Sequence, residues 1–345
     1  MTPPNSPASA SPIADLSYRN YDGPLDPPVT RWWAIAKMAM RLATQKRGFW
    51  IWSALSGYWY VVLLVVFFIA DMISAQTSAA MTDGKSTFFS GIIWKDQFVH
   101  AFSFAQILFF VLALLLGTGS IANDNRAKAL LVYLSKPCSR LDYVIGKWLG
   151  VFIPLTAVAF VPMLLFWLYG ALSFREYGFI SSEPFLLPKL FLVAMVTGAL
   201  HASLSLGISS MFDQARVAGA TYAGLYFLSN FFTKGMQVAH GIAVANGETA
   251  PKFVDNLFYA SIDGVQIAMA KLILGTSGSP LFAALRGGSG GGRRGPFGEG
   301  GGNVRADAFV IPSPPLAMYL PLFLLLVAAG FAIAWSRVRA VEVVR

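Results

Sequence analysis

The chain has 345 residues, of which 56% are hydrophobic and 12% charged, and a formal charge of +9. Soluble domains carry roughly 25% charged residues, so this much apolar side chain excludes a water-soluble globule and makes lipid part of the solvent. The positive balance then points to loops held against an anionic membrane face rather than to nucleic acid, and the single cysteine, Cys138, excludes an intrachain disulfide framework.

Residues 1–29 are rich in Pro and Ser and lack a basic start followed by an apolar core, which predicts a disordered tail rather than a secretory signal. Residues 30–49, TRWWAIAKMAMRLATQKRGF, form a separate element. Thr30 is placed to cap a helix start. Trp33, Ala36, Met40 and Ala43 recur at helical spacing, with Lys37, Arg41 and Lys46 left to face water and headgroups. The pattern predicts either an amphipathic helix lying on the membrane surface or an extension of the first span.

A spanning helix needs about 20 largely apolar residues. Six segments meet that length, over residues 51–73, 99–117, 148–171, 189–210, 215–233 and 316–335. The fourth and fifth are separated only by the turn MFDQAR, where Asp213, Gln214 and Arg216 interrupt the apolar run. Residues 235–315 form a long loop. Its stretch 253–275 is apolar but contains Asp255, Asp263 and Lys271. Those charges make a full crossing costly, so short helices at the outer interface, or a re-entrant pair, are expected before the last span. Residues 286–303, RGGSGGGRRGPFGEGGGN, are Gly-rich and are expected to be mobile, with no function of their own.

Lysine and arginine near the helix ends set the orientation. Arg31, Lys37, Arg41, Lys46 and Arg47 precede the first span with no acid among them. Arg126, Lys128, Lys136, Arg140 and Lys147 follow the second, and Arg337, Arg339 and Arg345 follow the last. The loops on the other side are balanced: Lys85 and Lys95 stand against Asp83 and Asp96, and Arg175 against Glu176 and Glu183. Both termini and the 118–147 loop are therefore expected in the cytoplasm.

No motif supplies chemistry. A GKS triplet occurs at residues 84–86, but a phosphate-binding loop needs a glycine where Ala79 stands. His100, His201 and His240 lie far apart, the methionines are scattered, and no metal or nucleophile signature occurs. The chain is expected to be no enzyme and to hold no cofactor, so any step that needs ATP falls to a partner.

The 118–147 loop is the most informative segment. Its first half, SIANDNRAKALLVYLSK, has Ile121, Leu130, Leu131 and Leu134 on an apolar side and Asn123, Asp124, Arg126 and Lys128 among the polar residues. Pro137 stops that helix, and Ser139 is placed to cap a second one. Two short helices are expected, either as a plain basic anchor or as a docking surface.

The run of Gly119, Ile121, Ala122, Asp124 and Arg126, then Leu134 to Pro137, Ser139, Arg140, Tyr143, Gly146 and Lys147 resembles the first cytoplasmic loop of type-2 ATP-binding-cassette (ABC) permeases. Asp124 stands where that family usually has Glu. The resemblance extends over about residues 30–345 and implies an all-α membrane protein: six transmembrane helices, an N-terminal amphipathic interfacial helix, and short external helices before the last span. It implies a half-transporter, with an export direction, in the bacterial cytoplasmic (inner) membrane. Two copies, or two related chains, would form the path. A separate cytoplasmic ABC ATPase would bind ATP and dock on a coupling helix at Asn123, Asp124, Arg126 and Lys128, with a second contact at Asp213 and Arg216. A membrane anchor or assembly factor that recruits such a partner without moving a solute would need the same loop.

Small residues recur every four positions at Ala215, Gly219 and Ala223, at Ala199, Ser203 and Gly207, and at Gly146 and Gly150. Such spacing lets membrane helices approach closely, within one chain or across a dimer. Polar residues within or near the spans are Asp71, His100, Gln106, His201, Asn230 and Lys234. His201 and Asn230 are the candidates for lining a path, although a hydrogen-bonded helix contact would explain His201 equally.

Overall fold

In the computed structural model, which describes residues 30–78, 92–129, 139–175, 178–276 and 312–338, the apolar runs become helices, and no strand occurs among those residues. In chain order the helices are α1 (Arg31–Thr44), α2 (Arg47–Ser56), α3 (Tyr58–Ser78), α4 (Trp94–Gly117), α5 (Ala122–Arg126) and α6 (Arg140–Ser173). They continue with α7 (Phe179–Ser182), α8 (Leu186–Ser209), α9 (Ala215–Ala245), α10 (Lys252–Asn256), α11 (Ile262–Leu274) and α12 (Leu316–Arg337). Five stretches are long and apolar enough to cross a membrane: Arg47–Ile73, Trp94–Arg126, Arg140–Ser173, Leu186–Ser209 and Leu316–Arg337. The predicted tail at 1–29, the Pro137 stop, Cys138 and the Gly-rich segment 286–303 lie outside the described residues.

The predicted fifth span is a helix of 31 residues, longer than the expected 215–233, and is not among those five. Thr221, Tyr222, Tyr226, Asn230 and Lys234 lower its apolar character. It nevertheless runs the length of the bundle. It starts beside Gly119 at the end where α4 and α8 finish, and Gln237, near its other end, donates a hydrogen bond to the Phe258 carbonyl.

Three further expectations are corrected. Thr30 makes no side-chain cap, and of the predicted stripe Ala36 and Ala43 are buried while Trp33 points outward at 44% exposure. The inner face of α1 is Trp32, Ile35, Ala36, Ala39 and Ala43. A Cβ on Gly146 would lie 2.7 Å from both the Trp32 carbonyl oxygen and Ile35 Cβ, and Gly150 faces Ala39. Helix α1 thus runs alongside the first turns of α6. Next, over the described residues the first loop helix is interrupted and the second is not a separate element. The first, α5, stops at Arg126 because Lys128 takes the left-handed backbone (φ 53°). The second is the start of α6 itself. Ser139 caps it as predicted, accepting from Asp142 N at 3.1 Å while Asp142 accepts from Ser139 N at 3.1 Å, and the helix then continues without a break through 34 residues.

The rods pack through small residues, which let backbones approach closely where lipid removes the usual hydrophobic drive between helices. Gly57 breaks α2 from α3 against the ring of Pro162, 3.2 Å from where its Cβ would be. Gly198 of α8 faces the Phe152 carbonyl of α6, and Gly207 of α8 meets Gly330 of α12. Trp148 Nε1 donates to Ser203 Oγ at 2.8 Å across the α6–α8 seam. At the end away from α5, Phe67, Trp94, Phe98, Phe166, Phe174 and Phe179 form a buried aromatic cluster. Outside it, Lys95 bridges to Glu183 at 2.7 Å and Lys189 to the same carboxylate at 3.1 Å. The Lys95 hydrogen bond above all, with help from Lys189, outweighs burial and holds the Glu183 carboxyl below the ordinary glutamate range.

Over 253–275 the chain forms α10 and α11, and α11 packs inside the bundle. Tyr226 lies roughly three turns along α9 from Ala215. Its hydroxyl donates to Asp263 Oδ2 at 2.6 Å, which places the first turn of α11 beside it. The far end of α11 reaches the end of the bundle away from α5, where Lys95 Nζ donates to the Gly275 carbonyl at 3.4 Å. One turn along, Gln266 Nε2 donates to His201 Nε2 at 3.1 Å, and His201 Nδ1 is 2.6 Å from Tyr222 Oη. Two polar rungs therefore tie α11 to α8 and α9 inside the bundle.

Candidate functional site

The connection from α4 to α6 is built around a helix that has no start of its own. Helix α5 is five residues long, far below the length at which a helix is stable alone. Its N-cap position is Ile121, which offers no side-chain acceptor for the free N–H groups of the first turn. Ser209, at the end of α8, supplies one. Its Oγ donates to the Thr118 carbonyl at 2.7 Å and accepts from Ile121 N at 3.1 Å and Ala122 N at 3.0 Å. Ile121 and Ala122 are both fully buried, so the base of α5 is plugged into the bundle.

The other end is held from α6. Asp124 Oδ2 accepts from Tyr143 Oη at 2.6 Å and from Lys147 Nζ at 2.7 Å. The same ammonium donates to the Ser120 carbonyl at 3.0 Å. The side chains of Asp124 and Lys147 are 19% and 13% exposed, so water screens the pair only weakly. A third tie comes from Asn125 Nδ2, which donates to the Phe212 carbonyl at 3.3 Å, in the turn between α8 and α9.

These ties gather residues that are far apart in sequence. Asn123, Arg126 and Lys128 are exposed, and so are Asp213 and Arg216 in the adjoining turn. All five lie at one end of the bundle, joined through the Asn125–Phe212 contact and the packing of Gly119 on Ala215. Asp124, the sixth predicted member of the surface, turns inward. His201 is 0% exposed between Tyr222 and Gln266, and Asn230 is half-buried and donates to the Tyr226 carbonyl at 3.1 Å. Ser209 and Gln266 escaped the sequence reading. The one signal for Ser209 was indirect: a short helix starting at Ile121 needs an acceptor from elsewhere.

The arrangement is a mixed-charge surface made of two loops, each continuous with long apolar rods. No curated protein matches the chain. A family model described as ABC-2 family transporter protein matches residues 33–333, from α1 through most of α12, and so includes both loops of this surface. With that match over most of its length, and with its apolar rods and braced α4–α6 loop, the chain belongs to the ABC-2 transporter family.

Proposed function

We propose that the chain is the permease subunit of an ABC exporter, driven by a separate cytoplasmic ATPase that docks on the α5 end of the bundle. The observation that carries this reading is the exposed set Asn123, Arg126, Lys128, Asp213 and Arg216, brought to one surface by two loops. In this reading α9 is the sixth crossing. The α5 end and both termini lie in the cytoplasm of a bacterial cell, as the distribution of Lys and Arg favours. A second copy, or a related chain, completes the path. Asn230, part-exposed on α9, is the better placed of the two candidate lining residues, since His201 is enclosed within one protomer. Closing of the ATPase pair on ATP would move the docked surfaces together and rock the rods. The chain itself contributes no catalytic group, and ATP stays on the partner.

The test is co-purification in detergent. Arg126→Glu with Lys128→Glu is expected to release the ATPase while the permease still folds. If the ATPase remains bound to that variant, it docks elsewhere. Vesicle reconstitution separates transport from simple recruitment. A complex that hydrolyses ATP yet moves no candidate solute, with no ATP-dependent rearrangement of the rods, would support the anchor reading.

A further inference from the structure

Asp124 differs from every other polar residue of the docking surface. Its neighbours Asn123 and Arg126 are exposed, whereas its carboxylate faces the bundle and is held by two donors one turn apart on α6. Lys147 lies under Asp124, pins the Ser120 carbonyl as well, and its ammonium stands 5.6 Å from the centre of the Tyr143 ring. On the opposite side, Ser209 closes the first turn of α5 from α8. A five-residue helix cannot transmit a push unless it is braced, because its own hydrogen bonds are too few to resist fraying. Here the braces are a charge-assisted pair on one side and an imported cap on the other.

We propose that Asp124 is a positioning residue rather than a docking contact. It latches α5 to Tyr143 and Lys147, so that α5, α6 and the end of α8 move as one body when the ATPase moves. This rests on the proposed function and refines it: Asn123, Arg126 and Lys128 meet the partner, and Asp124 passes the partner's motion to the third and fourth spans. The latch is charge-specific, since the Asp124 carboxylate is matched to an ammonium, and a reversed pair restores the attraction.

The experiment uses the full chain in nanodiscs with the ATPase that co-purifies with it. A fluorophore is placed at Leu141→Cys, 46% exposed in the first turn of α6, on a Cys138→Ser background. Asp124→Ala is expected to retain the ATPase undiminished. It should also raise amide exchange across α5 by at least about tenfold, as loss of a charge-assisted hydrogen bond implies, and abolish the ATP-driven signal at position 141. Tyr143→Phe, which keeps the ion pair, should show a smaller loss. Asp124→Lys combined with Lys147→Asp should recover the signal, which a merely misfolded loop would not do. Release of the ATPase by Asp124→Ala with α5 exchange unchanged would make Asp124 a docking contact and overturn the latch. So would an ATP-driven signal that survives in Asp124→Ala. Arg126→Glu with Lys128→Glu separates the two readings: if that variant also keeps the ATPase, the docking surface itself is wrong, whatever Asp124 does.

Discussion

A Cβ built on Gly207 would lie 2.7 Å from the carbonyl oxygen of Gly330, so α8 and α12 cross backbone against backbone. In water a helix pair gains by excluding solvent. In lipid it gains by close packing, and a Cβ on Gly330 would in turn run into the backbone of Ser203 on α8. Replacing Gly330 by Val is therefore expected to cost about 1–3 kcal/mol, as overpacking does elsewhere, and to lower the thermal midpoint in detergent. Gly224, with nothing within 4 Å of its Cβ position, is the control. Gly224→Ala should hold or slightly raise that midpoint, by up to about 1 kcal/mol of helix propensity.

Ser209→Ala removes the acceptor that starts α5. The expected cost is that of losing a helix cap, about 0.5–2 kcal/mol. It should be felt locally, as faster amide exchange at Ile121 and Ala122, with the exchange of mid-α8 amides unchanged. Equal exchange in the variant and the parent would mean that Ser209 does not hold the loop.

Tyr226→Phe deletes the donor to Asp263 Oδ2 and leaves that carboxyl oxygen buried without it. Leaving a buried acceptor without its donor costs about 1–3 kcal/mol. Helix α11 should loosen, which is checked by increased thiol labelling of a cysteine placed at Ala268 (0% exposed). A parallel Tyr259→Phe change, which breaks the contacts of its hydroxyl with Lys271 and the Pro312 carbonyl, tests the other end of the same element.

The Lys95–Glu183–Lys189 group at the opposite rim gives a pH dependence. The Glu183 carboxyl is held below the ordinary glutamate value, first by its hydrogen bond from Lys95. The folded protein therefore favours the ionised form. Its contribution is fully present above the ordinary glutamate pKa and is lost as pH falls through the lowered folded value. The three side chains are 22–33% exposed, so the contribution stays within about 1 kcal/mol. Thermal midpoints recorded from neutral pH down past the glutamate range should drop further in the parent than in Glu183→Gln. Parallel curves for the two would show that this carboxylate is energetically silent.

Membership of the membrane class and the positions of most of the long rods were legible in the sequence. Each follows from a local quantity: the length of an apolar run against bilayer thickness, Pro and Gly as punctuation, and the placing of Lys and Arg. Ser139 could be read as a cap because a cap's partner is only three residues away. What depended on distant neighbours could not be read. The small-residue repeats announced close packing, but only the folded bundle paired Gly146 and Gly150 with α1 and Gly207 with α12. Trp33 and Ala36 both fitted a helical stripe, and the position of α6 decided which one was buried. Asp124 belonged to a polar run that looked uniformly solvent-facing. The arrival of Tyr143 and Lys147 from the next helix turned its carboxylate inward, and Ser209 reached α5 from almost ninety positions away. Helical periodicity carries the hydrophobic pattern of a rod, whereas the partner of a polar side chain is set by how the rods cross.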